Sequence, residues 1–304
     1  MRKKMMNAFL LTAFTAMTFF ILQKNQMALS LAQEALNLWF QKMIPALLPF
    51  MILSGLLINM DLSDRFASFF SVLLRPVYRL SDSCLYCMII GFLCGFPMGA
   101  RVCAQSLEKK KISHKEASLM LAFCNNIGPV YFTGFVLRLF PTEHLFGALF
   151  GMYGIPLFYG LFLRYTVFKE IPFHKAVVND PSGKNVFFLP ELNRAIQSAL
   201  DSITVLGGYM IFCNMLNLIP NILFAAHSHL LTVIGPILEI TSGLSRISVQ
   251  QKELAFILLP FGGISCIAQT ASCIKNTDLS LSEYIFHKLI QTILTTAYYG
   301  FFSI

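Results

Sequence analysis

The stretch "GFLCGFPMGARVCAQSLEKKK", residues 91–111, decides how this sequence is read. It sets three glycines and a proline inside an apolar run, follows them with an arginine, and ends on three lysines. Surrounding blocks are just as apolar, and several approach the roughly 20 residues that cross a bilayer as helix. Only 12% of the 304 residues are charged and 56% are hydrophobic. Soluble domains carry about 25% charged residues, so this chain cannot cover a water-facing surface of its size. The class is an all-α polytopic integral membrane protein. Strands of a membrane barrel would alternate apolar and polar residues, and these blocks do not.

Working outward from residues 91–111, the apolar blocks are 7–22, 38–60, 66–80, 84–107, 117–140, 144–168, 195–219, 228–244, 253–274 and 284–304. They amount to about eight to ten transmembrane or re-entrant helices. Blocks 66–80 and 228–244 are short and suit re-entrant or interfacial elements. The N-terminal block follows the basic start "MRKK" and reads as an uncleaved span with its basic end inside. Residues 169–194, with the turn cluster "NDPSG", read as a cytoplasmic linker between two halves. The organisation expected is an N-terminal anchor and loop over 1–35, a first repeat over 36–168, the linker over 169–194, and a second, shorter repeat over 195–304.

The net charge of +8 sits in short loops, where the positive-inside rule places it, and does not point to nucleic acid. Most of the eight cysteines lie within apolar blocks, where thiols act as small hydrophobes. Cys84 and Cys87 form one CxxC with no second pair at zinc spacing, so no metal or other cofactor is expected.

The halves resemble each other. With Gly95 over Gly262, Ser113 falls over Ser280 and Glu116 over Glu283 without a gap. Five crossings before the linker would start the second copy from the opposite side. The four lysines of loop 108–115 face one lysine and one aspartate in 275–282. That asymmetry suits one loop inside and its counterpart outside, an inverted repeat of the kind secondary transporters use. On this alignment the second copy lacks a counterpart to the last span of the first.

Non-helical backbone survives at membrane depth only inside protein or beside a water-filled cavity. Gly95, Pro97 and Gly99 break one segment, and Asn125, Asn126, Gly128 and Pro129 break the next. The second half offers Gly262, Gly263, Ser265 and Gln269 in one segment and Pro236, Glu239 and Thr241 in another. Broken helices in matching positions point to a binding site at the midplane. Arg101 follows the first break and suits bidentate recognition of a carboxylate. Glu239, the main acid within an apolar block, is a candidate coupling site together with Thr241.

The motifs "GFPMGARVCAQSL", "ISHKEASLMLAFCNNIGPVYFTG" and "GPILEITSG…LPFGGISCIAQT" resemble those of bacterial sporulation integral membrane proteins of the YlbJ type, in the nucleoside-recognition or Gate-domain superfamily. The resemblance runs from about Leu36 to Tyr298. It implies a transporter acting in endospore formation, with dipicolinic acid as the cargo moved across the outer forespore membrane. A non-transporting membrane component of a spore-development complex and a transporter of a nucleoside-like solute are the alternatives. No HExxH, GxSxG or Walker loop occurs, so no enzyme is expected. The partners expected are the lipid bilayer, a small anionic substrate, and a second copy or another sporulation membrane protein.

Overall fold

The computed structural model describes residues 2–172 and 187–302; most of the expected linker, including "NDPSG", lies outside the described residues. Every regular element among the described residues is helical. Among the described residues six helices are long and apolar enough to cross a membrane: Lys4–Gln23, Asn25–Asn59, His114–Leu139, Leu145–Thr166, Phe188–Leu223 and Val249–Ile274. Two of them, His114–Leu139 and Val249–Ile274, are interrupted by short non-helical stretches. Residues 25–35, expected within a loop, begin a 35-residue helix that runs unbroken through the π-helical turn Trp39–Met43.

Block 84–107 is not a single crossing. Helix Asp82–Cys94 ends at Gly95, whose φ of +85° suits glycine alone, and the chain reverses into Met98–Glu108. The arms pack antiparallel, with the Cys87 thiol 3.5 Å from the Ser106 hydroxyl. This is a re-entrant hairpin with its tip at Gly95–Pro97. The preceding helix, Ser63–Tyr78, meets its first arm at 101°. Phe69, Val72 and Leu73 on that helix stay exposed, as suits a helix lying along the membrane surface. A second hairpin pairs Ser228–Leu238 with Ile240–Gly243 and the turn Leu244–Arg246, with its tip at Glu239. Its arms press so closely that a Cβ on Gly243 would lie 2.4 Å from the backbone of Pro236.

Side-chain contacts fix which end of the molecule each turn occupies. Lys109 donates to the Ile58 carbonyl (3.2 Å), Lys111 pairs with Asp61 (2.8 Å) and Lys115 with Glu170 (2.6 Å). These contacts define a basic end, which the positive-inside rule assigns to the cytoplasm. At the other end Asn214 donates to the Leu31 carbonyl (2.7 Å) and Arg246 stands 3.9 Å from Glu34. Tyr299 donates there to the Ala148 carbonyl (2.8 Å). The first hairpin opens at the basic end and the second at the opposite end. After each hairpin comes a broken span, His114–Leu139 or Val249–Ile274, and then a returning helix, Leu145–Thr166 or Leu281–Phe301. The second set runs through the molecule in the reverse direction of the first, so the two halves are inverted copies.

The register differs from the gap-free alignment. His114 Nε2 lies 3.2 Å from the Asp278 carbonyl, so loops 108–115 and 275–282 share one end rather than facing opposite sides. The first hairpin tip corresponds to Glu239, not to Gly262, and the break at Asn125–Gly128 corresponds to the one before Gly263. Leu281–Phe301 is therefore the counterpart of Leu145–Thr166, and no final span is missing from the second half. The local likeness of Ser113 and Ser280 has its own cause. Each hydroxyl accepts from the backbone N–H of the glutamate three residues on, and each caps a helix leaving the basic end.

Candidate functional site

The four interruptions meet at one place. A Cβ on Gly95 would lie 2.4 Å from the Gly128 backbone nitrogen, so the first tip rests directly on the first broken span. A Cβ on Gly263 would lie 2.8 Å from the Pro236 carbonyl, so the second tip rests on the second broken span. The two pairs touch through Phe96, whose ring would lie 3.0 Å from a Cβ on Gly262. Between them is a cavity of about 50 Å³. Gly95 and Phe96 line it from the first tip, Ile127 and Gly128 from the first break, Glu239 to Thr241 from the second tip, and Leu259 from the second break. Met43 and Leu47, and Leu206 and Met210, also line it, from the two long helices that begin each copy.

Each exposed helix end has a partner nearby. Breaking a helix strands N–H groups on one side and carbonyls on the other, and in a dry interior each unpaired group costs about 1–3 kcal/mol. At the second tip Glu239 is 1% exposed and caps Ile240–Gly243. Its oxygens accept from the backbone N–H groups of Thr241 (3.1 Å) and Ser242 (2.6 Å). The hydroxyls of Ser242 (2.8 Å) and Ser265 (3.4 Å) lie within reach of the same carboxylate. At the first tip Asn125 does the equivalent work with a neutral group. Its Oδ1 accepts from the Ala100 N–H (3.3 Å), while its Nδ2 donates to Thr270 (2.9 Å) and Tyr284 (3.1 Å). Asn125 thus ties the first hairpin to both helices that bracket loop 275–282.

The carbonyls left at the end of His114–Cys124 are held by two amides, one from the break itself and one from the other half. Asn126 Nδ2 donates to the Phe123 carbonyl (2.6 Å), and Gln291 Nε2 donates to the Ala122 carbonyl (2.6 Å). The oxygens of both amides accept from Lys288 Nζ, at 2.8 Å and 3.3 Å. Lys288 is 0% exposed, and its ammonium sits 4.8 Å from the centre of the Phe96 ring. Sequence reading passed over it. Helix Leu281–Phe301 carries Glu283, His287, Lys288 and Gln291 on an otherwise apolar pattern, and nothing local marks which of these turns inward.

Of the residues singled out from sequence, Gly95, Gly128, Glu239, Thr241 and Gln269 line the cavity. Pro97, Gly99, Pro129, Gly262, Gly263 and Ser265 shape the surrounding backbone or its hydrogen bonds, without lining it. Asn125 and Asn126 sit just behind it, each engaged on both faces of its amide. Arg101 lies one turn beyond the first tip, toward the basic end, 5% exposed. Its Nη2 donates to Ser198 (2.8 Å), and its Nη1 is buried without a partner among the described residues. Arg101 and Glu239 do not pair. Arg164 shows what a structural arginine looks like in this chain: its guanidinium donates to four backbone carbonyls. Tyr131, not anticipated from sequence, lines the cavity and has a buried hydroxyl with no partner among the described residues. Cys84 and Cys87 are both buried free thiols on the first hairpin.

Comparison with known proteins finds two similarities. A family model described as Gate, nucleoside recognition, matches residues 40–138, which takes in the first hairpin and the first broken span. Over 94% of its length the chain is 24% identical to the sporulation integral membrane protein YlbJ of Bacillus subtilis (strain 168), covering 80% of that protein. No solved structure matches the chain. The chain is thus a polytopic helical membrane protein that matches the Gate model over residues 40–138 and is similar along nearly its whole length to a sporulation integral membrane protein.

Proposed function

We propose that the protein is a transporter of a small anionic metabolite, dipicolinic acid, working during endospore formation in the bacterial cytoplasmic membrane or the outer forespore membrane. One observation carries this reading: two re-entrant tips, one entering from each end of the molecule, close on a single central cavity. Such a layout suits alternating access, because moving either hairpin opens the cavity toward one side only. The cavity is too small for cargo as it stands. A cavity of about 150 Å³ accommodates one benzene ring, roughly three times the space here. The arrangement therefore represents a closed state. Within this reading Arg101 lies on the cytoplasmic approach with a guanidinium nitrogen free to meet a carboxylate, and Glu239 serves as the proton-coupling carboxyl.

A nucleoside-like solute is a second reading. The description of the matching family model favours it, as do the Gln269 amide and the Tyr131 hydroxyl, which suit a neutral heterocycle. Uptake into proteoliposomes under an imposed proton gradient separates the two. Accumulation of dipicolinate supports the first, and accumulation of uridine alone replaces it with the second. Accumulation of neither would leave a non-transporting membrane component of a spore-development complex.

A further inference from the structure

We propose that Lys288 supplies the full positive charge of the central site, and that the Phe96 ring is a shutter screening it from the cavity. The inference rests on the anion-transport reading and names the group that would make it work. Lys288 is completely buried, yet its partners among the described residues are two neutral amide oxygens and an aromatic face. A buried ammonium ordinarily has an ionised partner, since neutral acceptors offset only part of the cost of leaving water. The partner that an ammonium so placed would take is an anion. The carbonyls at the end of His114–Cys124 do not replace it, because Asn126 and Gln291 already stand between them and the ammonium.

The path for that anion runs past one side chain. Phe96 lines the cavity on one side and lies against the ammonium on the other. It is carried on the first hairpin tip, beside Gly95, and its ring packs against Gly262 of the second broken span, where any Cβ would crowd it. A shift of the first hairpin that withdraws the ring would do two things at once. It would enlarge a cavity now too small for an aromatic acid, and it would present the ammonium to that acid. Glu239 stands on the cavity wall at the second tip, so the second half would offer both a cation and a carboxyl, with the Phe96 ring of the first half between cation and cavity. The ligand class that fits is a small planar acid with a carboxylate for Lys288 and a hydrogen-bonding edge for Glu239, Gln269 and Tyr131.

The test is ligand-induced thermal stabilisation of the purified full-length protein in detergent. The probes are dipicolinate, phthalate and nicotinate, each set against its neutral amide. Wild type should be stabilised by at least one acid and not by the matching amide. Lys288→Met leaves the amide oxygens of Asn126 and Gln291 without their donor, so it should melt below wild type without ligand, and its acid response is read from that baseline. Its affinity for the acid should fall on the order of 10- to 100-fold. Lys288→Arg should keep a measurable part of the acid response. Phe96→Leu should enlarge it; an unchanged or smaller response overturns the shutter. If Lys288→Met melts lower but keeps the full acid response, Lys288 only holds the broken helix together and the proposal fails. It fails as well if no acid stabilises wild type. If phthalate or nicotinate acts through Lys288 while dipicolinate does not, the inference stands and the dipicolinate reading falls.

Discussion

Replacing Gly95 by alanine tests the hairpin tip itself. Gly95 has φ +85° and ψ −172°, a region that is essentially reserved for glycine and costs other residues about 1–3 kcal/mol. The new methyl would also lie 2.4 Å from the nitrogen and 2.8 Å from the Cα of Gly128. Both are backbone atoms of a break that Asn125 and Asn126 hold from the sides, so neither can swing away. Overpacking of this kind adds about 1–3 kcal/mol. Together they amount to about 2–6 kcal/mol, a large part of the 5–15 kcal/mol typical of a folded protein. Gly208→Ala is the control: it lies within helix Phe188–Leu216, and nothing is within 4 Å of its added Cβ. It should be neutral or stabilise by about 0.5–1 kcal/mol. Thermal unfolding in detergent, followed by the monodisperse fraction after heating, should rank Gly208→Ala with wild type and Gly95→Ala far below. Equal melting of Gly95→Ala and wild type would refute the tip geometry and the contact of the first hairpin with the first broken span.

Three further outcomes are expected. Single cysteines at Lys109 and Thr277, in a background without reactive thiols, should be labelled from the same side of the membrane and one at Ser248 from the other; separation of 109 from 277 would restore the gap-free register. Asn125→Leu removes three hydrogen bonds and strands the Ala100 N–H in the interior, so the protein should lose about 2–4 kcal/mol of stability and, on the proposed function, its transport; unaltered melting would show that the amide is not the link between the halves. Glu239→Gln keeps the acceptor for one capping N–H and should preserve ligand-induced stabilisation while uptake loses its response to a proton gradient; continued gradient-driven uptake would move the coupling role elsewhere.

Hydropathy and breakers are local properties, and the sequence by itself determined what depends on them. Long apolar blocks with so few charges required a membrane helix protein, and Gly95, Pro97, Asn125, Gly128 and Gly262 marked where helices stop. The lysines of loop 108–115 marked the basic end of the molecule. Tertiary structure decided how the pieces pair. Residues 91–111 contain the same breakers whether the chain kinks and continues or turns back, and only the packing of Cys87 against Ser106 makes a hairpin of them. The second tip is a glutamate that caps its own return arm, not a Gly-Pro turn, so residue-by-residue similarity aligned the wrong break with the first tip. Helix caps repeat wherever a helix begins, and Ser113 and Ser280 look alike because both helices leave the same end. Lys288 had no signal at all in one dimension. A lysine on a mixed helix becomes a buried, unpaired charge only when the other half places a broken helix end and an aromatic ring against it, because burial belongs to contacts between distant segments.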